Sequence, residues 1–170
     1  MNDMRFALDM ETRALEAPDG HADELRLWLR MLACANLIAG GVRRRLRTEF
    51  AVTLPRFDLM AQLERAPAGM TLSELSRRMM VSNGNLTALV ERLVRSGHIS
   101  RRPSPDDRRA QIIRLTRLGR REFSELAAAH GGWIGEAFSG LSPRDIGELS
   151  RLTAKAKLSA QRALIPRQTP

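Results

Sequence analysis

The chain has 170 residues, 43% of them hydrophobic, which is enough to bury one ordinary core and too little for several domains. Its 28 Lys and Arg outnumber 19 Asp and Glu, giving a formal net charge of +9 and a sequence pI near 11.4, so attraction to polyanions is expected. A single cysteine excludes an internal disulfide framework, and His21, His98 and His130 lie too far apart in sequence to form a ligand cluster at metal spacing.

Residues 1–20 carry two Arg and five acidic side chains and end in Pro18-Asp19-Gly20, which reads as an N-terminal arm. They lack the basic, apolar, small-residue order of a signal peptide, so the expected location is cytoplasmic. From about Ala22 to Phe50 the pattern is helical, and between Leu25 and Ile38 apolar residues occur almost all round the helix. A helix of that kind needs more cover than a small lobe gives, so it predicts a subunit interface and a homodimer. The uncharged stretch Met31 to Val42 falls short of the roughly 18 to 20 residues of a membrane span, and no membrane partner is expected. Leu54-Pro55 opens the next helix, with proline at its first position, where the missing N–H costs nothing. That helix runs to about Arg65 and breaks at Pro67-Ala68-Gly69.

Residues 71–116 hold nine Arg against four acidic residues, so the basic charge is concentrated there. Thr71 and Glu74 form a capping box that starts a helix reaching about Met79, and Ser76 is small enough for a second helix to cross close over it. The second helix follows Val81-Ser82-Asn83. Its Leu86, Leu89, Val90, Leu93 and Val94 recur at helical spacing and face inward. The other face carries Asn83, Asn85, Thr87, Ala88, Glu91, Arg92 and Arg95, side chains able to bond base edges, touch a thymine methyl or hold phosphates. Gly97 ends this helix. Ile99 to Arg102 and Ala110 to Leu115 read as two strands joined by the turn-forming, arginine-bearing Pro103 to Arg109. Two helices followed by a hairpin make a winged helix-turn-helix.

Thr116 caps a long helix from Arg117 toward Phe138, with Gly131-Gly132 weakening its middle and inviting a bend. Ser142 to Asp145 opens a last helix, in which Ile146, Leu149, Leu152 and Leu158 form an inward stripe before Pro166 stops it. The expected organisation is an arm at 1–20, a dimerisation helix at 21–53, a winged helix-turn-helix lobe at 54–116, C-terminal dimerisation helices at 117–165 and a tail at 166–170. The fold class is mainly α with a small β-hairpin wing.

The run Asp107-Arg108-Arg109-Ala110-Gln111-Ile112-Ile113-Arg114-Leu115-Thr116, with Gly119 after it, resembles the wing signature of the MarR family of transcriptional regulators. The resemblance covers roughly residues 22–163. It implies a winged-helix DNA-binding lobe, dimerisation through helices from both ends of the chain, and a ligand cavity between them. Arg109 matches the arginine of the family's Asp-x-Arg wing pattern and is expected in a minor groove beside Arg108. Asp107 orients an arginine, since phosphates repel a carboxylate. Ser73 and Arg77 are expected phosphate contacts, and Ser82, at the start of the recognition helix, joins the DNA-binding set.

Some relatives sense peroxides through a cysteine in the first helix with tyrosines nearby. This chain has no tyrosine, and Cys34 lies in an apolar segment, so it is read as a buried packing residue. The segments Leu54 to Leu63 and Met79 to Asn85 look similar to regulators of aromatic-acid and hydroxycinnamate breakdown, some of which respond to an acyl-CoA thioester. The expected effector is an aromatic acid or its CoA thioester, with Trp28, Leu32, Phe57, Met60 and Phe123 as pocket residues and Arg43, in the cluster Arg43, Arg44, Arg45 and Arg47, attracting the anion, although a solvated basic helix end or a phosphate contact is the more ordinary reading of that cluster. No cofactor and no catalytic activity are expected, because no nucleophile-elbow or phosphate-loop pattern appears. The expected function is a repressor released by its effector from a pseudo-palindromic operator. The rivals are a sequence-indifferent architectural protein and a winged helix used only for protein contacts.

Overall fold

A computed structural model describes residues 21–104 and 110–164. Among the described residues six helices and three short strands follow one another: α1 (Ala22–Phe50), α2 (Leu54–Glu64), β1 (Met70–Thr71), α3 (Leu72–Met79), α4 (Asn83–Arg95), β2 (Ile99–Pro103), β3 (Gln111–Leu115), α5 (Arg117–Ala137) and α6 (Pro143–Leu164). The chain divides into two compact units at Gly131/Gly132.

In the first unit the strands form an antiparallel sheet in the order β1-β3-β2. Ile99 pairs with Leu115 and Pro103 with Gln111 along the hairpin, and Met70 pairs with Ile113 on the other edge of β3. The two-residue β1 makes the sheet three-stranded where two strands were expected. It is too short to show an alternating pattern, and only its pairing with the distant β3 defines it. Arg114 Nε donates to the Ala68 carbonyl at 2.6 Å, fastening β3 to the loop that leads into β1.

The core lies between the sheet and α2, α3 and α4. Leu59, Met60, Leu63, Leu75, Leu86, Val90, Leu93 and Ile113 are all at most 2% exposed, each adding roughly 1.5–3 kcal/mol through burial. Caps set the helix starts. Glu74 N donates to Thr71 Oγ1 at 3.2 Å while Thr71 N donates to the Glu74 carboxylate at 2.8 Å, and Ser142 and Asp145 repeat the arrangement at α6. Leu54 is the first residue of α2 and Pro55 the second, one position later than expected and equally harmless, since the first-turn positions of a helix have no intrahelical acceptor for an N–H to lose.

Helix α1 leaves Leu25, Leu27, Trp28, Met31 and Leu37 exposed, while Val42 and Leu46 nearer its end are buried. An 18-residue window in α1 has a mean hydropathy of 1.3, apolar enough to cross a membrane by length and composition, a test that interface helices also pass. Cys34 is exposed, contrary to the expectation of a buried packing residue. The reason is that the described residues leave the apolar middle of α1 largely uncovered.

In the second unit α6 has no buried residue: Ile146, Leu149, Leu152 and Leu158, expected to face inward, are 44–55% exposed. Among the described residues their stripe is left without a covering surface. Helix α5 continues through Gly131-Gly132 without interruption.

Candidate nucleic-acid interface

Helix α4 is seated by Leu86, Leu89, Val90 and Leu93 on the core, which fixes the direction its remaining faces point. Ser82 is its N-cap, and its hydroxyl accepts from Asn85 N at a long 3.5 Å. Opposite the buried stripe, Gly84, Ala88, Glu91 and Arg95 follow one another at helical spacing and are all exposed or half-buried. Asn85 and Arg92, seven residues apart, occupy one flank of that stripe, and Asn83 and Thr87, four apart, the other. The Thr87 hydroxyl donates to Asn83 O at 2.8 Å, so its hydrogen is already used and its methyl is the group left to meet a partner. On α3, Ser73 and Arg77 are exposed one turn apart. The structure thus brings Ser73, Arg77, Ser82, Asn83, Asn85, Thr87, Ala88, Arg92 and Arg95 onto the two helices of a helix-turn-helix. Asp107, Arg108 and Arg109 lie outside the described residues, between Ser104 and Ala110, whose Ser104 N to Ala110 O bond of 2.9 Å closes the hairpin below them.

The turn between α3 and α4 has Met80 in the left-handed conformation, φ +55°, with its side chain 92% exposed. Ser76 Oγ donates to Val81 O at 2.6 Å and holds that turn against α3. At the other end of α4, Gly97 takes φ +73° and His98 N returns to Leu93 O at 2.9 Å, closing the helix.

Three further contacts fasten the recognition helix to its surroundings, and no sequence pattern announces them. The His98 carbonyl accepts from Thr116 N at 3.0 Å, and Gly119 passes so close that a Cβ there would stand 2.0 Å from the same oxygen. Glu122 of α5 accepts from Arg56 Nη2 of α2 at 2.6 Å and also pairs with His98 Nε2. These partners are far apart in the chain, so only the fold brings them together.

Of the residues expected to bind an effector, Met60 is fully buried in the core, and Phe57, 7% exposed, forms a tilted ring pair with Phe123 at 5.6 Å. Trp28 is 56% exposed and Leu32 half-buried. A cleft of about 550 Å³ lies elsewhere, walled by Arg43 and Arg47 of α1, Thr53, Leu54 and Pro55 at the start of α2, Met79 and Val81 of the turn, and Asn85, Leu86, Leu89 and Arg92 of α4. Of the expected effector residues, Arg43 alone stands on its wall. Of the basic cluster Arg43, Arg44, Arg45 and Arg47, the structure sets Arg43 and Arg47, four residues apart on one face, on the cleft beside α4. Among the described residues no group of three or more His, Cys, Asp and Glu could hold a metal ion.

The sequence pattern of the MarR family matches residues 52–110, which run from the start of α2 to the base of the hairpin. The transcriptional activatory protein BadR of Rhodopseudomonas palustris is 32% identical over 124 residues, spanning 71% of this chain and 70% of that protein. Among solved structures, a MarR family transcriptional regulator from Silicibacter pomeroyi is 32% identical with a TM-score of 0.71, covering 85% of this chain and all of that one. The fold is also that of an Escherichia coli MarR variant crystallised with operator DNA, at 22% identity and a TM-score of 0.69 over 82% of this chain and 99% of that one. With its winged helix-turn-helix, its unpartnered helices and these relatives, the chain belongs to the MarR family of transcriptional regulators.

Proposed function

We propose that this protein is a homodimeric, sequence-specific DNA-binding repressor that places two α4 helices in successive major grooves of a pseudo-palindromic operator. The observation that carries the reading is the outward polar face of α4, from Asn83 to Arg95, mounted rigidly beside a basic hairpin. Residues 54–116 read DNA, with Ser73, Arg77, Ser82, Asn83, Asn85, Thr87, Ala88, Arg92 and Arg95 facing the grooves and phosphates, and Arg108 and Arg109 reaching flanking minor grooves with Asp107 orienting them. Residues 21–53 and 117–165 dimerise, a role supported by the uncovered apolar faces of α1 and α6. A two-fold dimer demands a two-fold site, with half-sites about one helical turn apart. The protein works in the cytoplasm and catalyses no reaction. The name of the R. palustris relative favours activation as the second reading.

The proposed effector is a small aromatic acid or its CoA thioester, held by Trp28, Leu32, Phe57, Met60, Phe123 and Arg43. Phe57 and Met60 are buried in the packing around α2, so an effector held by them loosens that packing, and the change shifts the dimer toward one whose α4 helices are wrongly spaced.

The test is a titration against DNA flanking the protein's own coding region, with scrambled duplex as competitor and salt varied. A site preferred by about 10³ or more and protected symmetrically establishes the regulator. Equal affinity for every duplex favours an architectural protein, since counterion release carries no sequence information. Failure to bind any duplex at low salt favours protein contacts. Arg109→Ala should weaken operator binding by about 1–3 kcal/mol and relax preference at the flanks; unchanged affinity at moderate salt refutes the wing assignment.

A further inference from the structure

We propose that the cleft beside α4 is a seat for the DNA backbone, in which Arg43 and Arg47 of α1 hold a phosphate bordering the groove that α4 enters. The inference rests on the operator reading above and extends the DNA-facing surface beyond the helix-turn-helix and wing to the first helix. Asn85 and Arg92, on one flank of α4, form one wall of the cleft, and Arg43 and Arg47 stand on another. A helix lying in a major groove has a phosphate strand along each side, so a group on the flank, and anything across a narrow cleft from it, meets backbone.

The chemistry of the lining fits that occupant. Three guanidinium groups, of Arg43, Arg47 and Arg92, line the cleft and no carboxylate does, and a planar guanidinium is suited to two-point contact with phosphate oxygens. The arginines are also aimed from a fixed backbone. Val42 and Leu46, beside them in sequence, are 6% and 0% exposed. The helix end behind them is closed by Ala51 N and Val52 N, which donate to the Arg47 and Leu46 carbonyls at 3.2 and 3.0 Å. Arg43 and Arg47 themselves are exposed, so their charge costs little to keep and is available to a partner. Arg43 is then contested between operator phosphate and effector, whereas Arg47 serves DNA alone.

The test compares the wild-type protein, Arg47→Gln, Arg43→Gln/Arg47→Gln and Arg47→Lys. Each is titrated with the preferred and a scrambled duplex across a salt series. Removing one arginine–phosphate pair should reduce the steepness of log K against log salt by about 1, and the double variant should bind roughly 10- to 100-fold more weakly at 0.1 M salt on both duplexes alike. Arg47→Lys should keep the wild-type slope, since a lysine still neutralises the phosphate. A double variant whose salt slope equals wild type overturns the seat. Absence of any preferred site refutes the operator reading separately, because the slope on scrambled duplex still reports the arginines; no binding to any duplex overturns both.

Discussion

Gly119 is the sharpest test of how the DNA-reading lobe is assembled. Replacing it with alanine places a Cβ 2.0 Å from the His98 carbonyl oxygen and 3.1 Å from Leu115 Cδ2. The oxygen cannot yield freely, because it accepts from Thr116 N at 3.0 Å, and the Thr116 hydroxyl beside it is held in place by donating to the Gly97 carbonyl at 2.7 Å while capping α5 by accepting from Gly119 N at 3.0 Å. Overpacking of this kind costs about 1–3 kcal/mol, and straining one or two hydrogen bonds adds about 0.5–1.5 kcal/mol each. Alanine's helix propensity returns about 1 kcal/mol. Gly119→Ala should therefore lose about 0.5–5 kcal/mol net in urea unfolding, with an unchanged m-value at fixed protein concentration. Gly131→Ala, in the same helix but with open space where its Cβ would go, should gain up to about 1 kcal/mol in the same assay. Equal stabilisation by both substitutions would refute the close approach of α5 to His98.

Two further outcomes follow from the local geometry. Met80 holds a left-handed backbone with its side chain almost wholly in solvent, so Met80→Gly should relieve about 1–2 kcal/mol of backbone cost against a smaller entropic loss, raising the melting temperature; a lower one would show that the side chain stabilises the turn. Hydrogen bonds from the Thr71 backbone and then its hydroxyl hold the Glu74 carboxyl below the usual carboxylate range. Its folded pKa lies under its unfolded one, so its contribution is present above the unfolded value, about 4.5, and lost as pH falls through the folded value. Glu74→Gln should flatten stability against pH in that acid window and leave the neutral-to-basic slope unchanged; a parallel curve would remove the carboxylate from the cap.

Those features whose cause is local were readable in the chain. The Thr71/Glu74 box, the proline opening α2, the leucine stripe of α4 and the glycine after it each act within a few residues, so spacing alone reveals them. Strand β1 was not readable, because two residues carry no period. The Arg56–Glu122–His98 contacts and the cleft were not readable either, since they join surfaces from different helices. The exposure of Cys34 and of the α6 leucines misled in the opposite direction. An apolar pattern states that a face will be covered, and leaves open whether its own chain does the covering. For the interface itself the residue types on α4 were legible, whereas their division into a central stripe and two flanks, with the Thr87 hydroxyl turned back to Asn83, came from the structure.

The shared carbonyl of His98 has a consequence for how such a regulator changes over evolutionary time. It is the point where the end of the reading helix, the strand leading into the hairpin and the start of α5 meet, and Glu122 binds the same residue's ring while holding α2. Reading helix and hairpin therefore dock as one solid piece, and the angle at which they approach a duplex is set by residues that never touch it. Under the proposed operator reading, new preferences are reached by exchanging exposed side chains along α4 while that angle stays constant, so this face behaves as a replaceable typeface on a fixed press. A change at Gly119 or Glu122 would instead tilt every letter at once.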